Sequence, residues 1–211
     1  MSDYDVDDYE SFDLGRAGGS GTPSRREADA AAEDSDFDED EDDELDDEPE
    51  DAEDDEIDLV LAVYREDGVA VARALPKELA NDLEELIVQL RRLPGDAGAI
   101  GFVSLVGEVF VIVRVRGRMV QTLVSDAASA TEWPIARDVA DYLGESDIDE
   151  DEAEPLGDLG LLADVGISEL DLEGFVAELD DDADSDEVVL DIADKLGVGR
   201  EVRRVVDAEF A

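Results

Sequence analysis

The stretch EVFVIVRVR, residues 108–116, is apolar on both of its alternating faces. Successive side chains of a strand point to opposite sides, so Val109, Val111, Val113 and Val115 fall on one face and Phe110 and Ile112 on the other. A strand of this kind belongs inside a sheet that is covered twice. The valine face can take a helix, and Phe110 and Ile112 need a second cover.

The neighbouring segments supply the sheet. IDLVLAVY (57–64) and VAVARAL (69–75) flank the short Asp-Gly connection REDG and predict a β-hairpin. Ile57, Leu59, Leu61 and Val63 are expected on one face, with Val60 and Ala62 keeping the other largely apolar. In PKELANDLEELIVQLRRLPG (76–95), Pro76 suits a first helical turn and Leu79, Leu83, Leu86, Leu90 and Leu93 form one apolar stripe. Arg91 and Arg92 favour the helix C-terminus, and Pro94-Gly95 ends it. AIGFVSLV (99–106) and RMVQTLVS (118–125) complete the strands, joined at Gly107 and Gly117. A helix then starts at Pro134, with Ile135, Val139, Tyr142 and Leu143 on one side. The expectation is an α+β domain, residues 57–144, with an antiparallel five-stranded sheet in ββαβββα order.

An acidic linker, 145–155, leads to a C-terminal set of short helices, 156–211. DLGLLADVG stops at Gly166, and SELDLEGFVAEL opens with Ser168 and Asp171 in capping-box spacing. SDEVVLDIADKLG has Ser185 as an N-cap and apolar Val188, Val189, Ile192 and Leu196. GREVRRVVDA adds a last turn or two. Helices this short are not stable alone, so they are expected to cover part of the remaining sheet surface.

Charge divides the chain in the same places. The net −48 splits into −24 over residues 1–56, −4 over 57–143 and −20 over 144–211. Residues 1–56 hold few large apolar groups, a Gly/Ser patch and the run FDEDEDDELDDEPEDAEDDEI, and are expected to be a disordered acidic tail. So negative a chain repels phosphate backbones, which argues against direct nucleic-acid binding, and anionic membranes are disfavoured for the same reason. With no signal-like N-terminus and no membrane-length apolar run, a cytoplasmic protein is expected.

Enzyme constellations are sparse. The sequence has no Cys and no His, which removes thiol nucleophiles, Ser-His-Asp triads, the usual zinc sets and the zinc nucleobase deaminase signature. Neither phosphate-binding glycine motif occurs. Asp147, Asp149 and Asp151, and again Asp180, Asp182 and Asp184, imitate the start of a calcium loop. Both lack its glycine and its terminal Glu, and read as solvated linker. No metal and no cofactor is expected. Arg114, Arg116 and Arg118 cluster at one hairpin end, either as an anchor for an acidic partner or as gatekeeping charges on an exposed strand end, the second being preferred. Trp133 before Pro134 reads as a partly buried staple.

From Ile57 onward the chain resembles the actinobacterial tRNA adenosine deaminase-associated proteins. LAVYREDGVAVARALP, LRRLPGDAGAIGFVSLVGEVFVIVRVRG, LVSDAASATEWPIARDVADYLG and PLGDLGLLADVG carry the resemblance. It implies association with the deaminase that makes wobble inosine, and a non-enzymatic accessory or adaptor role without catalytic residues to carry over. Trp133, Arg137, Arg114, Arg116 and Arg118 are then the partner-binding candidates. The element order is also similar to longin and roadblock adaptor domains, an analogy of fold alone. The alternative is an acidic nucleic-acid mimic acting through its polyanionic tail.

Overall fold

A computed structural model of the chain describes residues 49–210 other than 96–97, 146–147, 149–152 and 181–182. The expected tail therefore lies outside the described residues as far as residue 48, as do most of the acids that imitate calcium loops. The described residues belong to one unit, residues 45–211.

Six strands, not five, form one antiparallel sheet: β1 Ile57–Glu66, β2 Val69–Ala74, β3 Ala99–Leu105, β4 Val109–Arg116, β5 Met119–Val124 and β6 Leu156–Gly157. Their spatial order is β2-β1-β3-β4-β5-β6, and every neighbouring pair is antiparallel. The helices are α1 Leu83–Arg92, α2 Pro134–Leu143, α3 Glu169–Asp180, α4 Ser185–Lys195 and α5 Gly199–Glu209. The additional strand, β6, has two residues, paired with Leu123 and Val124. It depends on Gly157, whose φ is +124° and where a Cβ would stand 2.2 Å from the Thr122 carbonyl oxygen. The first turn follows the Asp-Gly signal: Asp67 and Gly68 both have positive φ, the conformation of the tight hairpin whose twist matches its strands.

The sheet is covered on both sides. Val109, Val111, Val113 and Val115 pack with Leu83, Leu86 and Leu90 of α1 and with Ile135 and Val139 of α2. Phe110 and Ile112 pack in the other core with Leu161, Leu172, Val188, Ile192 and Val202 from the C-terminal segment. Three layers result, α1–α2, sheet and α3–α5, and the C-terminal helices provide the second cover that β4 demands. The α3 N-terminus carries the expected reciprocal cap: Asp171 N donates to Ser168 Oγ (3.3 Å) and Ser168 N to Asp171 Oδ2 (3.1 Å). Lys195 Nζ of α4 reaches Asp171 Oδ1 at 2.6 Å, and its hydrogen bond, helped by Ser168, holds that carboxyl at about 2.

Three local readings are corrected. The leucine-striped helix is broken: Lys77–Asn81 is a 3-10 turn, and the chain extends at Asp82 before α1 begins. Asp82 Oδ1 accepts from Glu85 N (2.8 Å), so the carboxylate caps a fresh helix start. A register shift between Ile57 and Leu59 turns Ile57 toward the α1–α2 core, away from Leu59, Leu61 and Val63. Ser185 is the first residue of α4 and is buried; its Oγ meets Ser104 Oγ at 2.7 Å while Asp184 stands at the N-cap.

The last residues assigned to the tail are docked. Ala52 is buried and exchanges two hydrogen bonds with the Asn81 side chain, at 2.8 and 3.1 Å. Lys77 Nζ donates to the Asp54 and Ile57 carbonyls, and Val106 N to the Glu56 carbonyl at 2.8 Å. The folded part thus reaches back to Pro49, and a truncation at residue 57 would cut into it.

Candidate interaction surface

Arg114 follows Ile112 on the second face of β4, so the same alternation that buries Ile112 carries the guanidinium under the C-terminal segment. It is 2% exposed. Its Nη1 donates to the Leu161 carbonyl (2.5 Å) and to Asp164 Oδ1, and its Nη2 to Asp164 Oδ2 (2.8 Å). Arg116, half-buried, adds Nη1 to Asp164 Oδ2 (3.0 Å) and Nη2 to Gln121 Oε1 (3.1 Å). Gln121 in turn donates to Asp158 Oδ2 at 2.6 Å. Arg114 is therefore a strut fastening residues 158–164 to the sheet, and not part of an exposed strand end. Arg118, one residue past the Gly117 turn, is exposed.

The hydrogen bond from Arg114 holds the Asp164 carboxyl below its ordinary value, against the opposing effect of burial. A depressed native pKa gives stability that is fully present above the unfolded value of 3.8 and is lost as the pH falls through the folded one. Asp164→Asn is expected to be less stable than the unaltered chain at pH 7, with the gap closing as the pH falls below about 4. Urea midpoints across that range check it; a gap independent of pH contradicts it.

Trp133 lies on the opposite side of the sheet. Its backbone is extended, its carbonyl accepts from Ala136 N and Arg137 N (both 3.1 Å), and its partly buried ring packs against the α1–α2 core. This is the staple position. Arg137 is on the outer side of α2, half-exposed, with Nε 4.0 Å from Asp141 Oδ1. The five candidate residues thus divide into two groups on opposite faces of the sheet and do not form one site.

A third feature escaped the sequence reading. Between α1 and α2 runs a cleft of about 640 Å³, with Ile87, Val88, Val120 and Tyr142 as its apolar lining and Asp82, Glu84, Asp138 and Arg91 as its charged lining. Asp138 Oδ2 accepts from Leu83 N (3.0 Å), which ties α2 to the first turn of α1. Burial raises the Asp138 pKa, the Leu83 hydrogen bond opposes this, and the charges of Asp82, Asp141 and Glu84 add to the rise. Asp138 also lines a second cleft of about 310 Å³, with Pro49, Asp51, Arg137 and Asp141. The signal for the first cleft was available: Asp82 and Glu85 have the N-cap-to-N3 spacing that marks a helix start, and shortening α1 at Asp82 opens its N-terminal turn toward α2.

Among the described residues no group of three or more carboxylates is placed to hold a metal ion. No described helix is long and apolar enough to cross a membrane. The fold defines a three-layer α+β domain whose charged features serve as internal struts and as the rims of open clefts. A family model, Rv3753c-like tRNA adenosine deaminase-associated protein, matches residues 58–199, and the chain belongs to that family. Protein Rv3753c of Mycobacterium tuberculosis (strain ATCC 25618 / H37Rv) is 32% identical over 152 residues, which cover 70% of this chain and 86% of that protein. No solved structure matches.

Proposed function

We propose that the chain is a non-enzymatic accessory protein that binds the tRNA adenosine deaminase through its folded unit. The observation that carries this reading is the extent of the family match. It begins at Asp58 and ends at Gly199, so what the family shares lies in the sheet and its two covers, and not in the acidic run. In this reading the protein works in the cytoplasm and leaves RNA contact to the deaminase, since a net charge of −48 opposes phosphate binding. The acidic run adds solubility and repels other copies of the chain.

Co-expression of the full chain with the deaminase of the same organism, followed by size-exclusion chromatography at moderate salt, tests the proposal. A single peak holding both proteins is expected. Separate elution overturns it.

A further inference from the structure

Building on that reading, we propose that the cleft between α1 and α2 receives a cationic amphipathic segment of the deaminase, a short helix with Lys or Arg beside an apolar stripe. The cleft offers both halves of such an interaction. The buried Ile87 and the half-buried Val88 and Val120 present an apolar floor, and Tyr142, 52% exposed, forms a wall. An aromatic side chain held half in water gains from burial by a partner.

The charge on the rim decides which partner. Asp82, Glu84 and Asp138 line the cleft against one base, Arg91. Through Asp138 the rim continues into the adjoining cleft, where Asp51 and Asp141 face Arg137. Acids thus outnumber bases along the whole path, and the C-terminal half of α2, which carries Asp138 and Tyr142, presents the end of a helix that attracts cations. Burial disfavours the charged form of Asp138, against the Leu83 hydrogen bond that supports it. An arriving ammonium or guanidinium would offset that cost and give specificity and steering together. The same sign repels RNA and a second copy of this chain. The ten residues of α1 make a cleft wall roughly 15 Å long, room for about three turns of a bound helix in the helix-in-groove mode.

The test uses the full chain and the deaminase, with affinity measured by titration calorimetry. Glu84→Lys reverses a charge on an exposed first-turn position, at a small helix-dipole cost, and Tyr142→Lys removes the apolar wall at an exposed position, so both variants are expected to keep the fold and a cooperative circular-dichroism melt. Each is expected to weaken the complex about tenfold or more. Leu170→Lys, at a 77% exposed position on α3 in the other layer, is expected to change affinity less than about twofold. If Glu84→Lys and Tyr142→Lys bind like the unaltered chain, the cleft assignment is overturned and the accessory reading stands. If the unaltered chain forms no complex, both are overturned.

Discussion

Arg114→Met lowers the unfolding free energy by about 3 kcal/mol, at the lower end for breaking a buried ion pair. For a folded part of this size that is a drop of roughly 9 °C in melting temperature. Met replaces most of the aliphatic stem but none of the donors. The Leu161 carbonyl loses the guanidinium, and Asp164 loses both of its Arg114 bonds. The effect stays below the upper end because the Asp164 side chain is half-exposed and recovers water. Arg114→Lys is expected to lose about half as much, since one ammonium cannot serve a carbonyl and two carboxylate oxygens in a fixed fork. Urea unfolding followed by far-ultraviolet circular dichroism measures both. A loss under about 1 kcal/mol for the Met variant would mean that residues 158–164 are held by apolar packing and by the Arg116, Gln121 and Thr122 contacts, without need of Arg114.

Phe110→Ala is expected to lower stability by about 4 kcal/mol, within the range for removing a buried aromatic ring. Phe110 has no exposed surface and lies in the core between the sheet and the C-terminal helices. The cavity forms between two layers, and the short helices α3, α4 and α5 depend on that contact because their local propensity does not suffice. The variant should therefore bind a hydrophobic dye such as ANS at urea concentrations where the unaltered chain does not. A cooperative unfolding curve with an unchanged midpoint would contradict the three-layer assignment.

Much of this fold could be read locally. The alternation of Val109 through Val115 against Phe110 and Ile112 demanded two covers, and the Ser168–Asp171 spacing placed the start of α3. What could not be read depended on contacts distant in sequence. Arg114 reads as one of three arginines on a hairpin because its partner, Asp164, is fifty residues away. The strand β6 has two residues beside a proline, too short for any periodicity to mark. Ile57 changes face at a bulge, and a shift of one residue reverses every side chain beyond it. Val106, a β-branched residue at φ +48°, occupies a conformation that its type disfavours. Its turn is held by the Glu56 carbonyl on Val106 N, by Asp58 Oδ2 on Gly107 N, and by Ser185 N donating to the Gly107 carbonyl. The α1–α2 cleft escaped for a related reason: a helix read as running unbroken from Pro76 hides the extended residue, Asp82, at which the helix is interrupted.

The proposed contact with the deaminase lies on the folded unit and not on the acidic run. The most direct measurement compares the dissociation constants of the full chain and of residues 49–211 for the purified deaminase at moderate salt. The truncation begins at Pro49 so that the Ala52–Asn81 and Lys77–Asp54 contacts remain. The two constants are expected to agree within about threefold, with little salt dependence added by residues 1–48. Binding by the full chain alone, weakening steeply as salt rises, would contradict the account and assign the contact to the polyanionic segment.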